Sequence, residues 1–144
     1  MSGSGRSLGR LSLVAGQGAA RDRVIRKAQT AVIERIRADP VRARSTIRTT
    51  SHVGEGLACE VTQGPFSATL DLGKGTGSDA AGSSPGFFAR AAIAGCVAIA
   101  VKMLAARNGV RFDNIDVAIE TDFDDAALFG IDDGNAASVR TRVS

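Results

Sequence analysis

Tryptophan and tyrosine are absent from this 144-residue chain, and six phenylalanines are its only aromatics. A stacking platform for nucleobases or sugars needs several exposed aromatic faces, so such a surface has little to be built from. The core must come instead from Ala, Val, Ile and Leu. Histidine is scarcer still. His52 is the sole one, which leaves a His-based metal site or a Ser-His-Asp triad without support, although His52 could act as a lone base. The two cysteines, Cys59 and Cys96, stand 37 residues apart and form no metal-type pair, so neither a metal nor any other cofactor is expected. Both thiols read as free, in a reducing cytoplasm. Long hydrophobic runs are missing too. The best, Ala91 to Val101, is 11 residues between Arg90 and Lys102, too short to cross a bilayer. The N-terminus scatters Gly, Ser and Arg where a secretory leader would have a compact apolar segment.

What is present suits one domain with a real core: 44% hydrophobic and 23% charged residues. Charge is unevenly placed. Residues 1–50 hold 11 Lys/Arg against 3 Asp/Glu, and the remainder holds 7 against 12. Such asymmetry can mark an anionic partner. A solvated basic helix beside an acidic surface accounts for it equally well, and a nucleic-acid partner is not expected.

Along the chain, residues 1–19 read as a flexible arm, and residues 20–40 as a basic helix. Val24, Ala28, Ala31, Val32 and Ile36 make its apolar face, and Asp39-Pro40 ends it. Residues 41–144 form the main domain. β-branched residues between Val41 and His52 predict a strand, Leu57–Thr62 a second and Phe66–Leu72 a third, with turns at Gly54–Gly56 and Gln63-Gly64, hence an antiparallel meander. Residues 73–84 read as a flexible Gly/Ser connector. Ser84 as cap, Pro85 in the first turn and Asn108-Gly109 at the end predict a helix over 85–108. Asn114–Thr121 and Ala137–Val143 read as further strands around an acidic segment, the last of them stopping mid-pattern, as in a shortened C-terminal half.

Three constellations invite chemistry. Gly73-Lys74-Gly75-Thr76-Gly77-Ser78 follows a strand, but a phosphate loop must open its helix directly, and here the helix starts about ten residues later. Asp122-Phe123-Asp124-Asp125 resembles half a calcium loop without the Gly and Glu that such a loop needs. Cys96 is the third. It sits on the stripe Ala89, Ala92, Ile93, Cys96, Ile99, Ala100, Met103, Leu104, where a thiol is usually a small core residue. The helix dipole fades within the first turn, so a reactive thiolate here needs a cation from another segment. Arg44, Arg48 and His52 lie on the first predicted strand. Arg90 lies on the same helix, about 9 Å along the axis and on a different face.

The run Ser83-Ser84-Pro85, the spacing from Pro85 to Cys96, the small-residue approach Ala91-Ala92-Ile93-Ala94-Gly95-Cys96, and the sequel Ala105-Ala106-Arg107-Asn108-Gly109-Val110 resemble the OsmC/Ohr family. These are the osmotically inducible protein C and organic hydroperoxide resistance proteins. The resemblance covers roughly Thr46 to Val143. It implies an α+β, OsmC-like fold: an antiparallel strand meander wrapped around a long central helix, in an intertwined homodimer. It also implies thiol-dependent reduction of organic hydroperoxides in oxidative-stress defence. Cys96 matches the peroxidatic cysteine. Arg48 is the first candidate for the thiolate-holding arginine and Arg44 the second. Phe87, Phe88 and Met103 are the candidate lining of an apolar substrate pocket. The family's glutamate position beside the proline is Gly86, which supplies no carboxylate, and Cys59 does not match the resolving cysteine. An external thiol could still reduce a sulfenic acid at Cys96. The alternative is a non-catalytic dimer that binds a small apolar ligand, with Cys96 a core residue.

Overall fold

A computed structural model describes residues 7–123, 125–126, 128–131 and 141–143. The chain forms two compact units. One comprises residues 1–45 and 97–116, the other residues 46–96 and 117–144, and one long helix runs through both.

The first unit is built on helix α1, Ser7–Ala38. It begins at Ser7 and not at Ala20, so residues 7–19 are helical where the sequence reading placed an arm; residues 1–6 lie outside the described residues. The covered stripe also differs from the predicted one. Asp22 is buried and Ile25, Gln29, Ile33 and Ile36 are half-buried, while Val24 is 58% exposed and Val32 41%. The cause lies in the residues that α1 meets. The C-terminal half of helix α2, Pro85–Asn108, offers polar groups, and α1 turns towards them a stripe on which Asp22 and Gln29 stand among isoleucines. Lys102 Nζ lies 2.9 Å from Asp22 Oδ1. Gln29 Nε2 donates to the Met103 carbonyl at 3.3 Å, and Arg26 Nε to that of Ala106 at 2.7 Å. A cation on the last carbonyls of a helix satisfies acceptors that have no partner within it, worth about 1 kcal/mol. Ala105 and Ala106 are the buried hydrophobic residues among those described.

After α1 the predicted strand over 41–52 is not formed as such. Asp39 Oδ1 accepts the Val41 N–H at 3.3 Å and Pro40 opens a 3-10 turn, Pro40–Ala43. Proline fixes φ and the aspartate caps the turn, which outweighs the β-branched residues that follow. Only Thr50–Val53 is strand, β1.

In the second unit β1 pairs with β2, Cys59–Gln63, and β2 with β3, Phe66–Leu70, both antiparallel. The meander is as expected, with the second turn at Gly64-Pro65, where Gly64 takes φ 56°. One face is polar: Thr50 bonds Thr62 at 2.9 Å, and Thr69 donates to Glu60 at 2.7 Å. The other carries Cys59, Val61, Ala68 and Leu70, all half-buried. β4, Ile119–Thr121, pairs antiparallel with β5, Thr141–Val143; these are shorter than the predicted strands, and residues 137–140 lie outside the described residues. Arg142 stands 3.7 Å from Glu120 and 3.9 Å from Asp122.

Helix α2 has the predicted bounds. Ser84 Oγ accepts the Phe87 N–H at 3.1 Å, and Gly109, at φ 74°, closes the far end. By length and composition alone this 24-residue helix could cross a membrane. The sequence reading counted only the run between Arg90 and Lys102; the helix carries apolar residues beyond both.

Candidate functional site

Cys96 projects from the middle of α2 and is exposed. Among the described residues its sulfur makes no hydrogen bond. The neighbouring surface is apolar: Ile93 is 40% exposed, Ile99 62%, Met103 42% and Leu104 49%. At 100° per residue, Met103 falls on the Cys96 face, about 10 Å along the axis. Phe87 falls on the opposite face, so the proposed apolar lining is divided. Phe87 and Phe88 meet edge to face, with centroids 5.5 Å apart.

Neither candidate arginine stands in a strand. Arg44 ends the 3-10 turn, its N–H donating to the Val41 carbonyl at 3.0 Å, and Arg48 lies in the extended stretch before β1. Both side chains are exposed. His52 is on β1, opposite Glu60, and exposed. Arg90 is engaged elsewhere. Its guanidinium lies 5.8 Å from the Phe123 ring centroid, and Nη1 would be 3.2 Å from a Cβ placed on Gly86. The position where the resemblance expects a carboxylate is thus a glycine flanked by a guanidinium and an aromatic ring. Gly86 leaves the space that Arg90 and Phe123 use.

Sequence reasoning missed Asp71. This carboxylate, 2% exposed, organises the loop that delivers the chain to α2. Oδ1 accepts from Ser78 Oγ and, at 2.8 Å, from the Leu72 N–H; Oδ2 accepts the Ala81 N–H at 2.9 Å. The loop read as a flexible connector is therefore pinned. Ala80 within it takes φ 56°, a conformation that costs a non-glycine residue about 1 kcal/mol. Asp71 N–H bonds the Ser83 carbonyl at 3.2 Å, and a Cβ on Gly82 would collide with the Thr69 carbonyl oxygen, so only glycine fits beside β3. An aspartate next to a Gly/Ser-rich stretch, with a serine seven residues on, was the available signal.

The hydrogen bond from Ser78, with those from the Ala81, Leu72 and Ala80 N–H groups, holds the Asp71 pKa below its ordinary 3.8, against the opposing effect of burial. A depressed folded-state value means that ionised Asp71 contributes stability above the unfolded value, and that this is lost as pH falls through the folded one. Thermal melts of the parent and Asp71→Asn should differ most near neutrality and converge as pH falls through the depressed folded-state value. A gap independent of pH would show that the carboxylate charge contributes nothing.

The fold and the site define a class: an α+β protein that presents an unpaired thiol from the middle of a long apolar helix ahead of which a strand meander lies. A family model described as OsmC-like protein matches residues 75–144, from the pinned loop through α2 onwards, which is similar to that family over just under half of the chain. The sequence resemblance begins at Thr46, whereas the match begins at Gly75, so the meander lies outside it. No curated protein matches the chain. One helix of this length and composition is weak evidence for a membrane span.

Proposed function

We propose that Cys96 is the redox thiol of an organic hydroperoxide reductase that works as a pair of identical chains in the reducing cytoplasm. The observation that carries this is the setting of the thiol: exposed, on the helix of the matched OsmC-like segment, amid apolar side chains left uncovered in a single chain. Burying such a side chain is worth about 1.5–3 kcal/mol, and a symmetric pair buries each one twice. A second copy would cover the apolar stripe and form around the thiol the apolar pocket that an alkyl hydroperoxide needs.

The thiolate attacks the terminal peroxide oxygen, the O–O bond breaks, and the alkoxide leaves and takes a proton to become the alcohol. Cys96 becomes a sulfenic acid. Two equivalents of an external thiol return it to the thiol, yielding their own disulfide and water. A cation must favour the thiolate, and Arg48, then Arg44, are the residues to supply it from either chain.

The test is the yield of a single turnover. Reduced protein mixed with cumene hydroperoxide, without reductant, should form one alcohol for each Cys96 thiol lost. Thiol that persists while the hydroperoxide stays intact would sink this reading and leave a pair of chains binding an apolar ligand, with Cys96 as packing.

A further inference from the structure

We propose that the outer face of α1 docks on the turn carrying Leu128, Phe129 and Ile131 of a second copy of this chain. This contact rests on the pairing of identical chains proposed for the enzyme, and not on its thiol chemistry. Val24, Ala28, Ala31 and Val32 belong to the face of α1 that periodicity marks for burial, yet all four are exposed. At 100° per residue Arg21 and Arg35 stand on the same face, one near each end, while Asp22 and Glu34 fall outside it. Neither arginine side chain makes a hydrogen bond or ion pair among the described residues.

The complementary surface belongs to the second unit. The Phe129 N–H bonds the Asp125 carbonyl at 3.2 Å, the Ile131 N–H bonds that of Ala126 at 2.9 Å, and Gly130 takes φ 66°. Bonds of this kind close a helical turn, and here they fix the backbone that presents Leu128, Phe129 and Ile131. All three are exposed. Residues 122–133 hold five Asp and no Lys or Arg. Arg142, 3.9 Å from Asp122, and Arg90, against the Phe123 ring, offset part of that charge and leave the surface acidic.

Each surface supplies what the other lacks. The helix face is basic and built of small side chains; the turn is acidic and carries large ones. Alanines set between valines leave a shallow groove for a leucine, phenylalanine or isoleucine, and opposite charge fixes partner and register. Both surfaces are bare in a single chain, so a second copy covers both at once, and a symmetric pair makes the contact twice. A lipid surface suits the helix less well. Interfacial helices insert Trp, Phe or Leu, whereas this face offers two alanines and two valines.

The experiment links two co-expressed, differently tagged chains, both carrying Cys59→Ser and Cys96→Ser, through a short bis-maleimide. One chain has Val24→Cys and the other Leu128→Cys, both at exposed positions. Rapid linking between the chains is expected, with little from Glu34→Cys on the other flank of α1. Arg21→Glu with Arg35→Glu should slow linking about tenfold, the effect of exchanging two exposed ion pairs for like charges, and Asp125→Lys in the partner chain should restore it. Equal linking from Val24→Cys and Glu34→Cys, or indifference to the charge reversal, would overturn the contact. So would linking confined to a single chain that carries both cysteines, or co-sedimentation with anionic vesicles in place of linking. Chains that sediment as a pair yet never link would overturn this contact and leave the pairing through α2 standing. Chains that sediment singly would remove the pairing itself.

Discussion

Cys96→Ser is expected to bring the consumption of organic hydroperoxide, measured with an external dithiol present, down to the rate of the dithiol alone. Serine is nearly isosteric, so fold and assembly should persist. Its hydroxyl ionises far above neutral pH and has no sulfenic-acid state, so both the attack and the regeneration are lost. Cys59→Ser should retain the parent rate. Cys59 is half-buried on β2, opposite Val53 and Leu70, where its sulfur belongs to the covered face of the meander. The pair of variants is what gives the test its force. Loss in both would point to general destabilisation, and retention in Cys96→Ser would remove the thiol from the chemistry.

Ile99→Asp is expected to convert the pair of chains into single chains. Ile99 is 62% exposed in one chain and lies within the apolar stripe that a second copy would cover. The substitution gives up about 1.5–3 kcal/mol of apolar burial and places an unpaired carboxylate in the interface, at a cost of several kcal/mol more. In a symmetric assembly both terms enter twice, and each 1.4 kcal/mol is about a tenfold change in the dissociation constant. Sedimentation velocity should therefore find the parent at twice the mass of the variant at the same concentration. On the proposed reading hydroperoxide turnover should fall with the assembly, because the proposed pocket around Cys96 is formed by both copies. A parent that sediments as one chain would contradict this arrangement, and so would a variant that keeps both the pairing and the rate.

Helix α2 was legible to the residue because its ends are written in chemistry that acts locally. Ser84 caps, Pro85 fits the first turn, and Gly109 takes the positive φ that closes the helix. The meander was legible for a similar reason, although its second turn, read at Gln63-Gly64, lies one residue on at Gly64-Pro65. Other features depend on what a segment meets, and periodicity does not reveal that. Helix α1 has two stripes that could be covered. The more apolar one was expected, but the carbonyls and Lys102 of α2 select the stripe holding Asp22 and Gln29. Leu8, Leu11, Leu13 and Val14 among the N-terminal glycines and serines were underweighted as helix formers. The 3-10 turn at Pro40 and the loop pinned by Asp71 depend on single carboxylates accepting backbone N–H groups, a signal that composition averages away.

At the candidate site, the position of Cys96 on α2 was legible from the spacing to Pro85, and the matched residues 75–144 include it. Its surroundings were less so. Arg90 was set aside because helix geometry turns it away from the thiol, and it is found on Phe123 beside Gly86. The strand expected to bring Arg44 and Arg48 forward is a turn and an extended stretch, which leaves both guanidinium groups exposed and able to serve a second chain.

Mapping a sulfenic-acid adduct bears most directly on what is claimed for Cys96. Native protein would be exposed to cumene hydroperoxide with a dimedone probe, then digested and sequenced by mass spectrometry. Near-complete labelling at Cys96, with Cys59 unmodified, is the outcome that a redox thiol requires. An unlabelled Cys96, under conditions where the unfolded chain does label, would mean that this sulfur is packing and that the chain has some other task.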